Sequence, residues 1–135
     1  MNRIVRRLMK KTILNTANAP EAIGPYSQGI EVGGWIFTSG QLPIDPETGI
    51  MEEKIEAQAM QSLKNVAAVL EAAGSSLKDA VKLTVFLFDM KDFAAVNEVY
   101  QNFFQSDYPA RSAVQVARLP KDARIEIEAI AYKPQ

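Results

Sequence analysis

The chain contains no cysteine and no histidine. Disulfides, thiol nucleophiles, thiolate zinc sites, imidazole ligands and histidine proton shuttles are excluded together. Any chemistry must fall to Arg, Lys, Tyr, Ser, Thr and carboxylates. No apolar run approaches the ~20 residues of a membrane-spanning helix, and the start is too poor in apolar sequence for a secretory signal. The expectation is a soluble, cytoplasmic protein with no membrane partner. Repeats, low-complexity tracts and internal linkers are also missing. What is present, 135 residues of which 47% are hydrophobic and 23% charged, suits one compact domain. A domain of that size buries roughly two-thirds of the surface of its unfolded chain, enough for a core without staples.

The net charge of −1 averages two unlike regions. Residues 1–11 hold Arg3, Arg6, Arg7, Lys10 and Lys11 and no acid. Removing those five from the 15 basic residues leaves ten against 16 acidic ones, a net of −6 over residues 12–135. An acidic body argues against a nucleic-acid partner, whose phosphates need clustered Lys and Arg. The basic head reads as a short targeting segment, as an upstream start with Met9 the more natural beginning, or, the reading preferred, as an untargeted extension. The division is a flexible basic extension over residues 1–10 and a single domain over 11–135.

Within residues 28–40, Gly29-Ile30-Glu31-Val32 and Trp35-Ile36-Phe37-Thr38 flank Gly33-Gly34, a pair suited to a primed hairpin turn. LPIDPETG over residues 42–49 is turn chemistry. From 53 to 73, Ile55, Ala59, Leu63, Val66 and Leu70 recur at helical spacing, and Gly74 supplies a left-handed stop. Residues 81–88 alternate as a strand with Val81, Leu83, Val85 and Leu87 on one aliphatic face. Asp92 is a candidate N-cap for a second helix carrying Phe93, Val96, Val99, Tyr100 and Phe103, closed before Pro109. Residues 110–116 and 124–132 read as strands joined at Leu119-Pro120-Lys121-Asp122. The order of hairpin, helix, strand, helix, strand, strand implies an α+β layer, a mixed β-sheet with two helices on one face. The opposite face is expected to carry Arg111, Gln115, Glu126 and Glu128 among apolar neighbours. Such a face calls for cover by other subunits.

Arg111 begins a strand beside small Ala113, where a planar guanidinium has room to take a carboxylate bidentately. A structural salt bridge to Glu126 or Glu128 is the other reading, and the one that pattern alone favours. Glu126 is the candidate base, since a half-buried carboxyl has its pKa raised toward the range useful for proton transfer. Alternation alone does not separate it from Glu128. Tyr26 is presented by a turn rich in glycine and proline, and Ser39-Gly40-Gln41 ends the hairpin with a glycine that fits either a ligand approach or a bulge. There is no phosphate-binding glycine motif. Glu126 and Glu128 alone are a weak magnesium signal, and no metal is expected.

The runs Ala22-Ile23-Gly24-Pro25-Tyr26-Ser27-Gln28-Gly29, Thr38-Ser39-Gly40-Gln41-Leu42-Pro43, Pro109-Ala110-Arg111-Ser112, Val116-Ala117-Arg118-Leu119-Pro120-Lys121-Asp122 and Ile125-Glu126-Ile127-Glu128-Ala129 resemble the reactive intermediate deaminase (RidA/YjgF) family. The resemblance runs from about Lys11 to Tyr132. It implies a chorismate-mutase-like α+β fold and a homotrimer whose sheets form a central barrel with clefts between subunits. It implies hydrolysis, without metal or cofactor, of enamines and imines such as 2-aminoacrylate to a 2-keto acid and ammonia. By the same resemblance Arg111 holds the substrate carboxylate and Glu126 directs water. Tyr26, Ser39, Gly40, Asn97 and Ala113 line the cleft.

Two departures stand out. Many relatives have cysteine where this chain has Ala113, so thiol-based regulation is not expected here. The segment before Pro109 is a few residues short, which reshapes the cleft mouth. The competing reading is a regulatory module that binds a carboxylate or keto acid without turnover; it needs the arginine but not Glu126.

Overall fold

The computed structural model describes residues 2–4 and 9–134, so that residues 1 and 5–8 of the expected basic extension lie outside the described residues. A three-residue strand, β1 (Thr12–Leu14), follows the basic head and was not separable from it by pattern. It pairs antiparallel with β2 (Gly29–Val32), which turns directly into β3 (Trp35–Thr38). Gly33 and Gly34 take φ of 57° and 84°, the two left-handed residues that a type I′ turn requires. The expected hairpin is therefore present, and two adjacent glycines account for it.

Helix α1 (Ile55–Ala72) buries the predicted stripe, with Ile55, Ala59, Leu63, Val66 and Leu70 all in the core. It stops at Gly74, at φ 81°, whose N–H donates to the Glu71 carbonyl at 2.9 Å. The chain continues through β4 (Ala80–Leu87), α2 (Phe93–Phe104), β5 (Ala110–Gln115) and β6 (Ile125–Tyr132). The six strands form one mixed sheet in the order β1-β2-β3-β6-β4-β5, in which only β4 and β5 run parallel. Ile36, Leu83, Leu87, Ile125 and Ile127 of the sheet meet Leu63, Val66, Val69 and Leu70 of α1 in the core. Each such side chain contributes roughly 1.5–3 kcal/mol. No helix among the described residues is long and apolar enough to cross a membrane.

Three expectations are corrected. The β4–β6 register shifts between Ala80 and Lys82, so Ala80 takes the buried place and Val81 is exposed. Asp92 sits at the N-cap position of α2 without capping it; its carboxylate instead accepts from Arg124 Nη2 at 2.7 Å. The third correction concerns the site. Parallel pairing sets Arg111 opposite Leu83 and Ala113 opposite Val85, both buried under the helices, so Arg111, Ala113 and Gln115 belong to the helix side of the sheet. Glu126 and Glu128, opposite Phe86 and Thr84, are on the open side.

Candidate functional site

Arg111 starts β5 beneath α2. Its Nη1 donates to Asn97 Oδ1 at 2.7 Å, and its guanidinium carbon lies 4.8 Å from the Tyr100 ring centre and 5.1 Å from that of Phe93. Phe93, Asn97 and Tyr100 follow one another at spacings of four and three, a single stripe of the helix. Arg111 takes part in none of the ion pairs among the described residues, so the salt bridge to Glu126 or Glu128 is not formed. A recess of about 440 Å³ opens here, lined by Asn97, Tyr100, Gln101, Tyr108, Pro109 and Arg111. Ala113 is half-buried two residues along the same face. The Tyr100 hydroxyl is buried without a hydrogen-bond partner among the described residues. Burial raises its pKa, the Arg111 charge opposing, so the phenol is neutral at pH 7.

Across the sheet a bulge shapes the second group. Phe37 pairs with Ile130 and Gln41 bridges Ile127, which leaves residues 38–40 facing only residues 128 and 129. Thr38 Oγ1 fills the broken ladder by accepting from the Ala129 N–H at 3.0 Å. Gly40 then lies against Glu126. A β-carbon on Gly40 would collide with Oε1 of Glu126 and come within 2.8 Å of its Cδ, so a side chain here would displace the Glu126 carboxyl. The Glu126 pKa is raised, first by burial and then by the neighbouring charge of Glu128. The Ser39 hydroxyl donates to the Ser27 carbonyl, tying the bulge to the segment that carries Tyr26. Tyr26, half exposed, lines a recess of about 270 Å³ with Gly40, Gln41, Ile23 and Lys121.

The residues singled out from sequence thus form two groups within one chain. Arg111, Asn97 and Ala113 share the helix side at β5; Glu126, Gly40, Ser39 and Tyr26 cluster around the bulge of β3. Arg111 and Glu126 are two strands and three residues apart, on the order of 14 Å between backbones, and their side chains leave opposite faces. Sequence reasoning placed Phe93 and Tyr100 only as core residues. Their spacing with Asn97 was the available signal, but it gains meaning only once β5 lies under α2. No group of three or more Cys, Asp or Glu side chains suited to a metal occurs among the described residues.

Fold and geometry define a small α+β domain with an arginine-lined recess on one side of its sheet and a half-buried carboxyl on the other. A family model described as Endoribonuclease L-PSP matches residues 16–133. The 2-iminobutanoate/2-iminopropanoate deaminase of Salmonella typhimurium is 57% identical over 128 residues, covering 93% of this chain and 99% of that protein. The enzyme of the same name from Escherichia coli K12 is 56% identical with the same coverage. Among solved structures, E. coli TdcF with bound serine superposes with a TM-score of 0.88 at 52% identity, covering 91% of this chain and 99% of that one. Yeast Mmf1 gives 0.89 at 39% identity, covering 93% and 100%. The chain belongs to the reactive intermediate deaminase (RidA/YjgF) family.

Proposed function

We propose that the protein is a 2-iminobutanoate/2-iminopropanoate deaminase, which hydrolyses small 2-imino acids and enamines such as 2-aminoacrylate to a 2-keto acid and ammonia. The observation that carries this reading is Arg111, a guanidinium held in a recess by a neutral amide and two aromatic faces and taking part in none of the ion pairs among the described residues. Relatives above 50% identity over almost the whole chain bear the name of this activity. The acidic body and the absence of histidine favour it over the nuclease named in the family model.

The substrate carboxylate pairs with Arg111, contributing roughly 1.5–3 kcal/mol and fixing the C=N carbon. Glu126 takes a proton from water as its oxygen bonds to C2, giving a carbinolamine. That proton passes to the nitrogen as the C=N π pair moves onto it, completing a neutral carbinolamine; a second transfer, from the carbinolamine hydroxyl through Glu126 to the amino group, lets the C–N bond break, so that ammonia leaves and the oxygen's electron pair closes the C=O of the keto acid. A carboxyl whose pKa is raised by burial is the better matched to this transfer near neutral pH. Imines hydrolyse unaided, so positioning and one base suffice without metal or cofactor. Tyr26, Ser39, Gly40, Asn97 and Ala113 line or shape the cleft.

One small substrate cannot span from Arg111 to Glu126 of the same chain. We therefore propose a homotrimer in which each cleft joins the Arg111 side of one subunit to the Glu126 side of the next, with the open sheet faces forming a central barrel. Support comes from that face itself, where the apolar Trp35, Phe37, Phe86, Val114 and Ile130 lie among Lys82, Thr84, Ser112, Glu126 and Glu128.

The test is release of keto acid and ammonia from freshly generated 2-aminoacrylate by the wild type and by Arg111→Ala. The wild type is expected to accelerate release and the variant to fall below about a tenth of that rate. A wild type without acceleration, or a variant that keeps it, overturns the assignment.

A further inference from the structure

We infer that Phe93, Asn97 and Tyr100 are positioning residues that hold the Arg111 cation without neutralising it, so that its charge stays available to the bound carboxylate. The inference rests on the proposed role of Arg111 and deepens it. A guanidinium carries five N–H donors in one plane. Asn97 Oδ1 occupies one of them, on Nη1, at 2.7 Å. That oxygen belongs to an uncharged amide, so it fixes the plane and leaves the positive charge in place. The rings of Phe93 and Tyr100, 5.1 and 4.8 Å from the guanidinium carbon, attract the cation through their faces and offer no anion. All three side chains come from one stripe of α2, which packs over the sheet.

The identity of residue 97 is the informative point. Aspartate has the same shape and accepts the same hydrogen bond, yet it would give Arg111 a permanent intramolecular partner and compete with substrate. An amide there separates orientation from neutralisation. At residue 100 the ring is what acts, because the hydroxyl is buried with no partner among the described residues and does not reach the guanidinium as a hydrogen-bond partner. The device selects anionic imines over neutral ones of the same size.

The test uses full-length Asn97→Asp, Tyr100→Phe and Tyr100→Leu, with sodium 2-ketobutyrate binding by calorimetry, KM and kcat, and thermal melting. Asn97→Asp is expected to melt like the wild type, to bind 2-ketobutyrate at least about tenfold more weakly, and to raise KM far more than it lowers kcat. Tyr100→Phe should bind within about twofold of the wild type, whereas Tyr100→Leu should lose several-fold. In an Arg111→Ala background Asn97→Asp should add no further loss, since it acts through the arginine. Wild-type binding by Asn97→Asp, equal damage from Tyr100→Phe and Tyr100→Leu, or additive losses with Arg111→Ala each overturn the inference. A wild type that shows this binding pattern but deaminates nothing sinks the deaminase reading and leaves the clamp standing.

Discussion

Gly40 lacks a side chain because the Glu126 carboxyl occupies the space of one. Gly40→Ala should therefore push that carboxyl out of place and lower kcat at least about tenfold, while far-UV circular dichroism stays that of the wild type; unchanged turnover would separate Gly40 from the mechanism. Glu126 itself sets function against stability. Its pKa stands above the ordinary 4.5, so the native state keeps a proton that the unfolded chain has already released. Folded protein then binds more protons than unfolded, and stability falls as pH rises from about 4.5 through the raised value. Glu126→Gln should match the wild type in stability at pH 4 and exceed it at pH 7, as paired thermal melts will show, while losing turnover at every pH. Arg111 and Glu126 were both legible in the sequence as chemistry-bearing types in strands. Their separation was not, since alternation assigns a residue to a face only relative to its own strand, and the face of β5 is set by its parallel register on β4.

Elements fared according to how local their causes are. The Gly33-Gly34 turn, the periodic stripe of α1 and its stop at Gly74 are written in short windows of sequence, and all three occur where expected. Val81 alternates correctly in sequence but is displaced by a register shift that only pairing with β6 creates. Asp92 has the residue type of a cap, yet a guanidinium 32 positions away claims its carboxylate. The bulge at residues 38–40 belongs to this second kind, and it brings Gly40 against the Glu126 carboxyl. Thr38 keeps it closed by satisfying a buried N–H of β6. Thr38→Val retains shape and removes the acceptor, so it should destabilise the protein by about 1–3 kcal/mol in denaturant titration. Loosening of the same bulge should lower kcat alongside; a variant as stable as the wild type would show that water satisfies the N–H instead.

At the scale of the whole molecule, the proposed cleft exists only where two chains meet, and that arrangement has a consequence no single-chain site shares. Arg111→Ala and Glu126→Gln each destroy one side of every cleft in a homogeneous trimer. When the two variants are coexpressed and assemble at random, a cleft takes its arginine side from one subunit and its glutamate side from the next. Half of the arginine sides are intact, half of the glutamate sides are intact, and about a quarter of the clefts receive both. Mixed trimers should recover roughly a quarter of wild-type deaminase activity, although each parent alone has almost none. Purified parents mixed without subunit exchange should stay inactive, which excludes contamination. If both residues served one cleft within a chain, every cleft would carry a lesion and no mixture would recover activity. Phe37→Glu, on the open face one residue before the bulge, provides the structural counterpart. A trimer held by that face should dissociate on gaining a charge there, as sedimentation will read, and activity should disappear with it while the monomer keeps its secondary structure. A monomer that still turns over would end the shared-cleft account, because it would place Arg111 and Glu126 in catalysis without a neighbour to join them.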